Sequence, residues 1–219
     1  MLKITGINNL KYIYDFQLRF QTPYFYDVDF ETWEKSFSDD IDGEGRVLFK
    51  ELDVKAVYDE DELVGFAQYG KTAFGFADNG EISSEISYPV IRNFYFKEGR
   101  EDAGAMMLDE AMKSLTDTER VYAFFHYFGM TCFARHGKLF ENHAHIETLL
   151  KENGFIIEHE NVYYSSVLSG GESSDVTLTA NDLTKGGHQY IDFKLGENHV
   201  GGCEVIISTA KQYFCVGFT

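Results

Sequence analysis

Three stretches of the sequence predict an α/β fold in which a β-meander leads into a strand–turn–helix unit. The first runs from Val47 to Phe76. Within it Val54–Tyr58 and Leu63–Gly70 are β-branched and aromatic, and the acidic turn Asp59–Glu62 separates them. The second is Val90–Phe96, another aromatic and β-branched run. It is followed by a short polar turn, Lys97–Asp102, with Gly99 inside it, and then by Ala103, Met106, Met107, Ala111 and Leu115 at helical spacing. The third is Arg120–Phe125, an apolar strand placed to pair in parallel with Val90–Phe96 through that helical crossover.

The remaining elements follow in chain order. Asn8 and Asn9 are caps for a helix reaching Phe20, which Pro23 terminates. Phe30–Phe37 is a second short helix, with Asp29 as its cap. The loop Ser38–Gly43 carries Asp39, Asp40 and Asp42, with Glu44 beyond. The spacing lacks the terminal glutamate of a calcium loop, so these carboxylates read as solvated. Asp78–Gly80 is a turn, and Glu81–Ser87 leads into the central strand. Thr116–Glu119 is a connector. His143–Asn153 is a helix with Ile146, Leu149 and Leu150 on one face. Gly154 is its left-handed cap, Phe155 its apolar partner, and Val162–Leu168 the strand after it.

Beyond Ser169–Ser174, a linker by composition, the chain echoes its own front half. Tyr190–Leu195, the turn Gly196–His199 and Val200–Ile207 repeat the hairpin, with Val200-Gly201 matching Val64-Gly65. Tyr213–Phe218 echoes Val90–Phe96. Two readings stand: a second, incomplete copy of the front half, or an unrelated β-meander extension. The open edge of such a copy would pack on the first domain or on a partner chain, a homodimer in the second case.

Composition narrows the function. The chain has 219 residues and is 44% apolar, enough for one sizeable core. Acidic residues outnumber basic ones 36 to 19, for a formal charge of −17. That disfavours a nucleic-acid partner and would attract amines and basic peptides, though solubility alone also accounts for it. No apolar run approaches the roughly 18 residues of a membrane span, and the N-terminus lacks a signal-peptide core. Cys132, Cys203 and Cys215 have no CxxC spacing and read as reduced thiols of a cytoplasmic protein. His126, Cys132, His136 and Lys138 fit no standard metal site, so no metal is expected. Cys132 and His136 have the spacing of a nucleophilic pair, against the plainer reading of a buried thiol and a surface histidine.

Arg100-Glu101-Asp102-Ala103-Gly104-Ala105 resembles the pyrophosphate loop of the GCN5-related N-acetyltransferase (GNAT) family, whose pattern is Gln/Arg-x-x-Gly-x-Gly/Ala after an apolar strand. Ala103 replaces the first glycine, and the turn is one residue shorter. Val64-Gly65-Phe66-Ala67 resembles the family's return strand. Leu149–Phe155 resembles its Tyr-x-Lys-x-Gly-Phe signature, with Leu150 where the general-acid tyrosine often stands. The resemblance implies a GNAT-like mixed, mostly antiparallel sheet flanked by helices, with splayed central strands. It places one acyl-CoA-binding domain in residues 1–168, a linker in 169–176 and a partial second half-domain in 177–219.

It further implies acetyl-CoA as co-substrate. Phe94, Tyr95 and Phe96 would hold the pantetheine amides. Gly99, Arg100, Glu101, Asp102, Ala103, Gly104 and Ala105 would hold the diphosphate at a helix N-terminus. The small residues there would let phosphate approach the backbone. An ordinary strand–turn–helix packing unit has the same local pattern. The family's usual in-strand glutamate falls near Val90, which leaves Glu85 as stand-in base and His126 as acid or base. The implied activity is N-acetyl transfer to a primary amine of a small molecule or peptide. The alternative is a non-catalytic acyl-CoA-binding or regulatory module.

Overall fold

The computed structural model describes residues 1–7, 9–20, 28–38, 40–42, 45–115, 120–133, 138–160, 176–180, 187–207 and 213–218. Thr116–Glu119, the strand expected at Val162–Leu168, the linker Ser169–Ser174, His136, Pro23, Asn8, Asp39 and Glu44 lie outside them.

The chain opens with β1 (Leu2–Thr5), α1 (Leu10–Gln17) and α2 (Phe30–Ser38). Asn9 caps α1 by accepting a hydrogen bond from the Lys11 N–H, and Asp29 caps α2 by accepting one from the Thr32 N–H at 2.9 Å. Then come β2 (Phe49–Asp59), β3 (Glu62–Thr72), the small hairpin β4 (Gly75–Phe76) and β5 (Ile82–Ser83), β6 (Pro89–Phe96), α3 (Glu101–Ser114), β7 (Tyr122–Ala123) and α4 (Ala144–Glu152). The main sheet has the order β1-β2-β3-β6-β7, antiparallel except for the β6–β7 pair. It is a mixed α/β fold with a mostly antiparallel sheet flanked by helices.

Side-chain alternation along β3 sorts the helices by face. Phe66 packs on Phe16 of α1 and Phe37 of α2. Its neighbour Gly65 points the other way, where an added Cβ would meet Met107 of α3 at 2.8 Å. Each face is therefore covered, and both belong to one buried cluster that includes Trp33, Ile91, Phe94 and Phe96. A second, smaller cluster of Leu48, Phe49, Phe74, Val90 and Phe128 lies at the start of β6.

The acidic loop after α2 is corrected. Asp40 and Asp42 are each only 5% exposed. Asp42 pairs with Arg46 at 2.7 Å. Asp40 pairs with the buried guanidinium of Arg92 and accepts from the Thr131 N–H at 3.1 Å and the Ser36 hydroxyl at 3.0 Å. Arg92 also donates to the carbonyls of Phe128, Gly129 and Ser36. A buried charge persists only with such partners, and the residue that required them lies far along the chain.

A second sheet is formed by β8 (Val176–Ala180), β9 (Gly187–Leu195), β10 (Asn198–Ile207) and β11 (Tyr213–Phe218), in sequence order and antiparallel throughout. Val176, expected in the linker, begins β8. In backbone register this sheet repeats β1-β2-β3-β6. The hairpins close on Asp59↔Glu62 and Leu195↔Asn198. Two residues into each return strand one residue is bulged out, Val64 in β3 and Val200 in β10. Further on, the third strand carries an extra residue opposite Gln68/Tyr69 and opposite Glu204/Val205, namely Arg92 and Val216. The outer strands also correspond, with Leu2↔Asp59 matched by Val176↔Leu195.

Candidate functional site

The site begins where β6 loses a neighbour. β7 pairs with it only through Val90↔Tyr122 and Ile91↔Ala123. The Phe124 N–H still reaches the Ile91 carbonyl at 3.0 Å. Phe124 then adopts φ 54°, a left-handed conformation unusual for a bulky side chain, and the chain turns away into a 3-10 turn at His126–Phe128. The strand expected over Arg120–Phe125 is thus two residues long, because Phe124 ends it. From Arg92 to Phe96 no strand of the described residues pairs with this edge of β6, and a wedge opens.

The wedge is lined by aromatic and imidazole rings. The Phe124 ring meets Tyr95 edge-on at 5.8 Å. The start of α4 crosses the wedge from face to face. His143 lies with Phe20 and Tyr95 on one side, at 5.4 and 6.4 Å between ring centroids. His145 lies under Phe96 on the other, and its Nε2 donates to the Phe96 carbonyl at 3.0 Å. His143 is 6% exposed, and its Nε2 has no hydrogen-bond partner among the described residues. Burial, aided by the neighbouring His145, holds its pKa below the usual histidine value, so the ring is neutral at pH 7. A neutral, unpartnered ring nitrogen is suited to taking up a proton. Burial also pushes the Tyr95 phenol upward.

Behind the wedge lies a closed polar chain. Trp33 Nε1 donates to Gln17 Oε1 at 2.8 Å, and Gln17 Nε2 donates to Asn93 Oδ1 at 3.3 Å. Asn93 Nδ2 donates to Gln68 Oε1 at 2.8 Å, and Gln68 Nε2 donates to the Phe37 carbonyl at 2.7 Å. Each buried amide is satisfied, so the strand carrying the bulge at Arg92 is held rigidly against α1 and α2.

The corner between β6 and α3 is a turn closed by the Arg100 N–H on the Lys97 carbonyl at 3.0 Å, with Gly99 at φ 78°. Arg100 is engaged by two carboxylates, Asp102 at 3.1 Å and Asp59 at 3.1 Å. Asp102 also accepts from the Ala103 N–H at 2.9 Å. An anion therefore already sits on the guanidinium and the helix amide, and it belongs to the chain itself. These contacts hold the Asp102 carboxyl below the usual carboxylate range, Arg100 being the largest cause.

The donor set, a guanidinium and a helix N-terminus, is that of an anion site. It fits a diphosphate once the carboxylates on Arg100 swing aside, which is easy for exposed ion pairs. The smallness of the next residues has another cause than phosphate access. Ala103 and Gly104 are buried, and a Cβ at Gly104 would lie 2.6 Å from Leu149 Cδ2 and 2.7 Å from Phe96 Cε1. Gly104 is where α3, α4 and β6 touch. Glu101, Asp102 and Ala105 face outward.

Glu85 and His126 lie on separate turns of the chain. Glu85 is exposed in the turn after β5, its N–H on Ser83 Oγ at 3.3 Å. His126 lies in the 3-10 turn beyond β7, its ring 4.0 Å from that of Tyr127 and 6.2 Å from that of His159. Cys132 is buried, and desolvation pushes its thiol up to about 12, which leaves it inert as a nucleophile. Sequence reasoning missed His143 and His145. Their two-residue spacing before an apolar helix was a weak sign, since neither stands in a recognisable motif.

No family model matches the sequence, and no curated protein matches it. Among solved structures, an aminoglycoside acetyltransferase, meta-AAC0020 from an uncultured soil metagenomic sample in complex with trehalose, is similar with 13% identity and TM-score 0.43, over 77% of this chain and 96% of that one. The aminoglycoside 6'-N-acetyltransferase AAC(6')-IG of Acinetobacter haemolyticus is similar with 10% identity and TM-score 0.45, over 77% and 99%. A transcriptional regulator of Bacillus halodurans C-125 is similar with 10% identity and TM-score 0.46, over 76% and 100%.

Proposed function

We propose that the chain is an acetyl-CoA-dependent N-acetyltransferase acting on a primary amine of a small molecule or peptide. The observation that carries this reading is the wedge: β6 and β7 part after Ile91 and Ala123, and a neutral, unpartnered imidazole nitrogen is buried beside the opening.

When bound, acetyl-CoA supplies the activated acetyl group. The edge of β6 from Phe94 to Phe96 would hold its amide arm by strand-like pairing. Arg100 and the Ala103 N–H would hold its diphosphate. His143 would take the proton from the incoming ammonium, which must be neutral to act as a nucleophile. His145, fixed by the Phe96 carbonyl, keeps the first turn of α4 in register with the strand. In this reading His143 has the role of proton acceptor that the sequence alone assigned to Glu85 or His126. The rings of Phe20, Tyr95 and Phe124 would exclude water from the reacting groups.

Isothermal calorimetry with acetyl-CoA, followed by thiol release across a panel of primary amines, tests the reading. Binding and turnover are expected, with turnover reduced roughly 100-fold in His143→Gln, the typical contribution of one acid–base group. Absence of acetyl-CoA binding would end the proposal. Binding without turnover on any amine would select the non-catalytic module instead.

A further inference from the structure

A second concavity lies beside β7. It is a cavity of about 380 Å³ walled by Phe76, Tyr88, Tyr122, Phe125 and Tyr127, with Glu158 at its mouth. The rings form two walls. Tyr122 and Phe125 stack at 4.6 Å and 17°, and Tyr88 stands edge-on to both at 5.5 Å. Tyr127 stands at 86° to Phe125 and packs on Phe76 at 5.0 Å.

These rings differ from those of the core. The core rings, such as Phe66, Phe94 and Phe128, are fully buried. Four of the five around the cavity are partly buried, and Tyr127 is 45% exposed. The negative ring faces and the Glu158 carboxylate make up the chemistry that recognises an organic cation. The chain itself already demonstrates the mode. The Arg120 guanidinium lies 4.8 Å over the Tyr122 ring while one of its nitrogens is 2.8 Å from Glu158 Oε1. A cation thus sits against one wall and on the carboxylate at once.

We infer that this aromatic pocket is a binding site for a small organic ammonium ion, which competes with Arg120 for Glu158 and the ring faces. His159 also lines the mouth, and His126 lies behind it, edge-on to Phe125. The site is independent of acetyl transfer. It holds whether or not acetyl-CoA binds in the wedge.

The test is a calorimetric titration of the full chain with choline and with 3,3-dimethylbutan-1-ol, its uncharged carbon isostere. Choline is expected to bind roughly tenfold tighter than the alcohol, the difference a desolvated ring-face cation contact makes. Tyr127→Leu and Glu158→Gln each weaken choline several-fold. Arg120→Ala strengthens it, an effect that a purely structural arginine would not produce. Tyr12→Leu, which removes a 60% exposed ring elsewhere, leaves it unchanged. Equal affinity for choline and the alcohol overturns the inference, as does no binding of choline at all. So does an Arg120→Ala variant that folds but binds choline no better.

Discussion

The two sheets of this chain share a backbone plan and differ in everything hung upon it. Both have a two-residue hairpin turn, a bulge at the Val of a Val-Gly pair, and a second bulge in the third strand. The difference lies in the connections. Residues 6–48, with α1 and α2, join β1 to β2, whereas residues 181–186 alone join β8 to β9. The third-strand bulge holds Arg92 in the first sheet and Val216 in the second. Register is therefore local, set by the turn and by the pleat of adjoining strands. The site is not: it needs α1, α2 and α4 brought in from elsewhere, and Arg92 at the bulge ties the end of α2 and the Phe128-Gly129 turn to β6.

The sharpest way to break this comparison is to give the first sheet the second sheet's residue. Arg92→Val leaves Asp40 buried without its guanidinium, so urea unfolding should show a loss of about 3–5 kcal/mol. The double variant with Asp40→Leu should recover a large part of that. If Arg92→Val unfolds like the parent, the bulge carries no special load.

Next in size is Gly70, whose counterpart in β10 is Ile206. In the first sheet a Cβ there would lie 1.9 Å from the Glu51 carbonyl oxygen. Gly70→Ala should cost about 1–3 kcal/mol by overpacking, read from the thermal midpoint.

A smaller effect belongs to His143, since no helix among the described residues joins the strands of the second sheet. Its pKa is lowered on folding, so the unfolded chain takes up a proton first as pH falls below about 6.5. Stability is complete above that value and declines as pH falls toward the folded pKa, by no more than about 1.4 kcal/mol per pH unit. In His143→Phe that part of the decline should vanish. Denaturant midpoints at a series of pH values measure it, and an unchanged slope would mean that the imidazole is not desolvated.

The smallest expected change in stability, under about 1 kcal/mol, is for Asp102→Asn, which removes an exposed pair. The same substitution should tighten acetyl-CoA binding several-fold, since it removes one of the two carboxylates on Arg100 and the charge beside the Ala103 N–H. Weaker binding would show that Asp102 is not a competitor.

Much of this fold was legible because much of it is local. Asp29 three residues before Thr32, Gly154 after Leu149-Leu150 and the acidic turn between two β-branched runs each carry their own structure. The Gly154 cap is closed by the Phe155 N–H on the Leu150 carbonyl at 3.1 Å. The echo between Val64-Gly65 and Val200-Gly201 was visible as residues, and each valine sits at a bulge. What escaped was whatever depends on distant partners. Asp40 reads as a loop carboxylate until Arg92 is folded over it. Phe124 reads as mid-strand, since nothing in an aromatic run announces a left-handed residue. His143 reads as a helix-start histidine until Phe20 and Tyr95 enclose it.

One consequence follows from Gly104. Because it is the seam of two helices and a strand, enlarging it would pry the layers apart, and any ligand affinity lost with it would report collapse rather than obstruction. Its outward-facing neighbour Ala105 offers the cleaner handle. A tryptophan there would shadow the approach to the corner while the layers stay shut, separating a blocked doorway from a fallen wall.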